Sequence, residues 1–82
     1  MENNVTTRIR GIVVPMEWDE MGFVISVAIA TYSEEKYIVD DSPVGWKLKE
    51  FLRKKVTVEG SVTHTESERI ITVTAFRSDT GE

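Results

Sequence analysis

The sequence predicts an all-β domain, a small barrel of five strands with one helix, in the order β-β-β-α-β-β. Three observations predict it. Five stretches are rich in β-branched residues and alternate at period 2, while one stretch between the third and fourth repeats at the helical period. Two glycines, Gly11 and Gly60, interrupt the first and fourth strands, where a small barrel must coil sharply and a residue without Cβ permits a bend or bulge. The chain has 82 residues, so folding hides only about 60% of its surface and supports a single thin core. The domain is expected over residues 6–77, between a frayed N-terminus at 1–5 and a flexible tail at 78–82.

The first strand, Thr6 to Val14, is a β-branched run. After a loop expected at residues 15–22, Phe23 to Thr31 sets Phe23, Ile25, Val27 and Ile29 on one face. Val24, Ser26, Ala28 and Ala30 fall on the other, the pattern of a strand with one buried face. The polar turn Ser33-Glu34-Glu35 leads to a short third strand, Tyr37-Ile38-Val39. Ser42 then caps a helix whose first position is Pro43, where a missing N–H costs nothing. Val44, Leu48, Phe51 and Leu52 lie within an arc of about 100° and form the stripe that docks on the sheet. The helix is expected to run about three turns. Lys47, Lys49, Arg53 and Lys54 occupy its remaining face. In the fourth strand, Lys55 to Thr63, Val56, Val58, Gly60 and Val62 share a face. The fifth, Ile70 to Phe76, alternates Ile71, Val73 and Ala75 with Ile70, Thr72, Thr74 and Phe76.

The place of the helix narrows the architecture. A ubiquitin-like β-grasp carries its helix after the second strand, and an SH3-like barrel has no real helix there. A five-stranded Greek-key OB-fold carries one between strands three and four, plugging an open end. The runs Arg8-Ile9-Arg10-Gly11-Ile12-Val13, Tyr37-Ile38-Val39-Asp40-Asp41 and Lys54-Lys55-Val56-Thr57-Val58-Glu59-Gly60-Ser61-Val62 resemble those of small single-domain bacterial OB-fold proteins. The resemblance covers roughly residues 6–77. It implies a binding face across strands two and three, flanked by the one–two and four–five loops. One fold hosts many activities, so it names no ligand.

Catalytic constellations are missing from the residue inventory. The chain has no cysteine, hence no disulfide, thiol nucleophile or thiolate metal site. His64 is the lone histidine and reads as a solvated loop residue. Asp40-Asp41 and Glu66/Glu68 do not match a calcium-loop spacing. Asp40-Asp41-Ser42 reads instead as the polar lead-in to the helix cap. The five glycines are scattered, so no phosphate-cradling loop exists. The expectation is a binding protein rather than an enzyme, with no catalytic residue, cofactor or metal. No apolar run reaches the length of a membrane span. Met1-Glu2-Asn3-Asn4 lacks the features of a secretory signal, so a cytoplasmic setting is expected and the sequon Asn4-Val5-Thr6 carries no weight.

The charge is uneven within a formal net of −4. Glu17, Asp19, Glu20, Glu66 and Glu68 face only Arg69 in the two expected loops. Lys47, Lys49, Arg53, Lys54 and Lys55 face only Glu50 around the helix. Acidic loop edges repel a phosphate backbone, and strand two presents no outward aromatic on which bases could stack. The favoured reading is therefore a module for a protein partner or small ligand of apolar and cationic character. Its candidate residues are Met16, Trp18, Met21, Val24, Ser26, Ala28, Tyr37 and Arg69. Trp18 has two readings: an interface anchor beside two adaptable methionines, or a ring folded back over the barrel end. Trp46 lies off the apolar stripe, and burial against the connection before the helix is favoured for it. The alternative is a single-stranded nucleic-acid binder using Arg8 and Arg10 with Lys47, Lys49, Arg53 and Lys54. A monomer or weak dimer is expected, with edge-strand pairing as the route to dimerisation.

Overall fold

The structure is a computed structural model and describes residues 6–79. The expected N-terminal segment 1–5, the sequon's Asn4 and residues 80–82 of the tail lie outside the described residues. Five strands form: β1 (Thr7–Trp18), β2 (Val24–Thr31), β3 (Lys36–Val39), β4 (Lys55–His64) and β5 (Arg69–Ser78). Between β3 and β4 come the helix α1 (Pro43–Lys47) and a 3-10 segment, Leu48–Phe51. The strands close into a barrel in the order β1-β2-β3-β5-β4. Every neighbouring pair is antiparallel except β3 with β5, which run parallel. The all-β class and the β-β-β-α-β-β order are as the sequence predicts.

The core is aliphatic: Ile9, Val13, Val27, Ile29, Val39, Leu48, Val56, Val58, Ile71 and Val73 are buried together. Alternation supplies most of it, since Val56, Val58 and Gly60 all face inward along β4. A Cβ at Gly60 would run into the carbonyl oxygen of Thr72, and the register of β4 on β5 shifts at Glu59/Gly60. Gly11 is crowded in the same manner by the carbonyl of Ala30. These glycines allow close approach of two backbones where the barrel coils. The shift corrects the expected phase of β5. Thr74 is skipped in the register, its hydroxyl donating to the Glu59 carbonyl at 3.2 Å, Ala75 turns out to solvent, and Phe76 turns in to meet Phe51 edge-to-face at 5.4 Å.

The helix is shorter than its stripe suggests. Ser42 caps it, its Oγ accepting from the Gly45 N–H at 3.2 Å, and Pro43 takes the first turn. After five residues the chain tightens to 3-10, in which residues three apart eclipse, so Leu48 and Phe51 stack on the same side. Leu48 is fully buried, and Val44, Phe51 and Leu52 pack against the core around it. The chain then leaves the helix to bridge β1. Arg53 adopts φ 67°, and its N–H donates to the Val13 carbonyl at 2.7 Å. Ser78, expected in the tail, instead ends β5, and Asp79 just beyond it is tied to β4: it accepts from the Thr57 hydroxyl at 2.8 Å, and its N–H donates to the Lys55 carbonyl at 2.9 Å.

Candidate functional site

The largest correction concerns residues 15–22, expected as a loop. Pro15–Trp18 continue β1, and β1 and β2 run on together as a two-stranded ribbon closed by a turn at residues 19–23. Asp19 builds that turn, its Oδ1 accepting from the N–H groups of Met21 and Phe23, both at 2.9 Å. Gly22 supplies the positive φ of 91°. Two register shifts occur in the ribbon, leaving Met16 on β1 and Ile25 on β2 without a cross-strand partner. Bulges of this kind re-aim side chains and are frequent beside functional sites. Phe23 and Ile25, expected on the buried face of the second strand, are 65% and 47% exposed. The alternation continues into the ribbon, but there is no barrel there to bury it.

Beside the ribbon lies a groove of about 470 Å³, lined by Glu17, Ile25–Val27, Val39–Asp41, Gly45, Trp46 and Lys49. Val27 and Val39 give it an apolar floor, and Ile25 and Trp46 give it apolar walls. Glu17, Asp40 and Asp41 place three carboxylates on the lining against the single ammonium of Lys49, which stands 6.0 Å from the Trp46 ring. Trp46 is 52% exposed, which corrects its expected burial. Its indole N–H donates to Asp41 Oδ1, so the ring is held upright against the groove. Asp40 is anchored from the sheet. Its Oδ2 accepts from the Thr72 hydroxyl at 3.0 Å, and its N–H donates to the Ile71 carbonyl at 2.8 Å. The Asp40-Asp41 pair thus leads into the helix cap, as expected, and walls the groove as well.

Two further concavities lie elsewhere. One, about 420 Å³, is lined by Arg8, Arg10, Tyr32 and Tyr37 with Thr7, Ile9, Thr31 and Ser33. The Tyr37 hydroxyl donates to Glu35 at 3.1 Å, and the Arg69 guanidinium lies 5.9 Å from its ring. Partial burial, reinforced by the bond to Glu35, holds the Tyr37 phenol above its ordinary pKa. The other, about 270 Å³, lies over Thr57, Ala75 and Phe76 beside Arg8, Glu59 and Arg77. Here Arg8 pairs with Glu59 at 2.9 Å, while Arg10 and Arg77 pair with Asp79 at 3.5 and 3.9 Å.

Of the favoured candidates, only Ser26 lines the groove. Met16 is half-buried, and Trp18 and Met21 project from the ribbon at 54% and 80% exposure, so Trp18 does not close the barrel. Val24 packs on the core edge. Ala28 is fully buried between its partners Val14 and Ile38 and offers no contact surface. Tyr37 and Arg69 sit together, away from the groove. Neither hairpin tip, 19–23 or 65–68, lines any of the three concavities, because the ribbon carries the first beyond the barrel. In the alternative set, Arg8 and Arg10 share no concavity with Lys47, Lys49, Arg53 or Lys54.

Glu17, Ile25, Asp40, Asp41 and Trp46 in the groove, and Tyr32 beside the arginines, are residues that the sequence did not single out for a site. The turn signal Asp19-x-x-Gly22 was the one clue that the ribbon, and with it Ile25, projects into water. Among the described residues, no three carboxylate or imidazole groups gather as a metal site, and no helix is long and apolar enough to cross a membrane.

No protein-family model matches the sequence, and no curated protein matches it. Among solved structures, a DUF3299 family protein from Pseudomonas aeruginosa PAO1 matches with a TM-score of 0.55 and 16% identity. The match covers 98% of this chain and 64% of that protein, so the chain spans just under two thirds of its neighbour's length. At that identity, the two share a fold.

Proposed function

We propose that the domain is a non-enzymatic OB-type binding module for a protein partner or small ligand of cationic and apolar character, held in the groove between β2 and α1. One observation carries this reading. An exposed tryptophan and an aliphatic floor share the groove with three carboxylates and a single ammonium. A lysine or arginine side chain fits that chemistry: its stem lies on Ile25 and Trp46 while its charge meets Glu17 or Asp41. The volume falls in the range of ordinary ligand pockets. The test is an amide chemical-shift titration with arginine amide and lysine amide against their glutamate counterpart. The expected result is a cation-specific shift at Ser26, Asp40 and the Trp46 indole. Equal shifts with glutamate amide would remove the reading.

A second reading is single-stranded nucleic-acid binding around Arg8 and Arg10. The observation favouring it is the concavity that sets those arginines beside Tyr32 and Tyr37, a pairing of cations with stacking surfaces. The basic helix plays no part in it. Oligonucleotide binding that weakens steeply with salt, with shifts at Tyr32 and Tyr37, would support this reading over the first.

A further inference from the structure

β2 is longer than the neighbour that covers it. β3 pairs with β2 only at Ala28, Ile29 and Ala30, while β2 begins at Val24. On its other edge β2 is paired with β1 from Thr31 through to Val24, except at the bulged Ile25. β3 ends at Val39, and the chain turns away as the Asp40 N–H donates to Ile71. Among the described residues, the edge of Val24–Val27 that would face a longer β3 therefore has no strand beside it. What lies beside it is the groove, with Ile25, Ser26 and Val27 on one side and Val39, Gly45 and Trp46 on the other.

We propose that this edge is a docking site for an extended peptide segment of a partner protein, which adds to β2 as a strand in line with β3. The proposal rests on the groove reading above and gives it a binding mode. Three features support it. Open edges offer backbone donors and acceptors at alternate residues, and natural proteins blunt them with Lys, Pro, a bulge or a covering loop. Val24-Ile25-Ser26-Val27 carries the bulge at Ile25 but neither Lys nor Pro, and a groove stands where a cover would be. A strand added here sends alternate side chains toward Trp46 and the carboxylates of Glu17, Asp40 and Asp41. The matching segment alternates Lys or Arg with aliphatic residues. A second copy of this chain is a poorer occupant, because its own groove brings like charge to like charge.

The test is selection of short random peptides displayed on phage, using the full chain. The selected peptides are then remade with N-methyl groups in each of the two alternate registers. The selected sequences are expected to alternate basic and aliphatic residues and to slow amide exchange within Val24–Val27. Methylation in one register should weaken binding about tenfold and in the other hardly at all, as expected when backbone bonds are lost on one edge only. Glu17→Lys should weaken it as well. Peptides that shift the Trp46 indole but tolerate both methylated forms would overturn strand addition and leave the groove reading standing. No selected peptide, or acidic ones only, would overturn both. A dimer with Val24–Val27 already protected would overturn the peptide as occupant.

Discussion

Tyr37 shows how one side chain ties local geometry to a solution property. Its phenol is held above its ordinary value of 10.0 by partial burial first and by its bond to Glu35 second. The unfolded chain loses this proton near 10.0, whereas the folded chain keeps it to higher pH. The stability this confers is present below that value and is lost as pH rises through the folded pKa. Tyr37→Phe should therefore flatten the fall in stability as pH rises above 10.0, measured by urea unfolding of both proteins. Gly60→Ala tests a different residue-scale claim. A methyl group aimed at the Thr72 carbonyl has no room, so a loss of about 1–3 kcal/mol is expected in the same assay. Gly60 was legible in the sequence as a bending point. The side on which Tyr37 lies was not, because a strand as short as β3 takes its facing from its neighbours.

Among the elements, the segment between β3 and β4 carries the most weight per residue. Leu48 is fully buried and plugs the barrel end from a single turn of 3-10 helix. Leu48→Ala should cost about 2–5 kcal/mol, a large share of the roughly 5–15 kcal/mol that holds a domain of this class. Ser42→Ala should cost only about 1 kcal/mol, since it removes one cap bond and no packing. Denaturant titrations of the two variants check the ranking. Val44, Leu48, Phe51 and Leu52 were readable as the docking stripe from their spacing. The switch from α to 3-10 was not readable. It is driven by the need to bring the chain out beside Val13, a residue far away in sequence.

At the scale of the molecule, the barrel and the ribbon should behave as two stability classes. Ile29, Val56 and Val58 are sealed inside the barrel. The ribbon from Met16 to Ile25 carries two register shifts and leaves Trp18, Met21 and Phe23 in solvent. Native-state hydrogen exchange should find the slowest amides in the first set and the fastest strand amides in the second. Uniform protection across both would mean that the ribbon is covered in solution, by a partner or by a second copy. The acidic groove and the arginine-bearing faces occupy different parts of the same small surface. The polarity expected from the sequence, acidic loops against a basic helix, is not what the fold builds: neither hairpin tip lines one of these concavities, and the acidic groove draws on Glu17, Asp40 and Asp41 with Lys49 of the helical segment among them.

Period-2 alternation, a serine before Pro43 and a stripe at helical spacing act over a few residues. Such short-range signals were enough to set five strands, their order around one helical segment, the helix cap and most of the core. Where a strand outruns its neighbours, where a bulge reverses its phase, and whether Trp46 meets water all depend on register and barrel closure. These arise from contacts between residues many positions apart, such as Gly60 with Thr72, Val13 with Leu52, and Asp40 with Ile71. The groove that brings Glu17, Ile25, Asp41 and Trp46 together exists only once those contacts have formed.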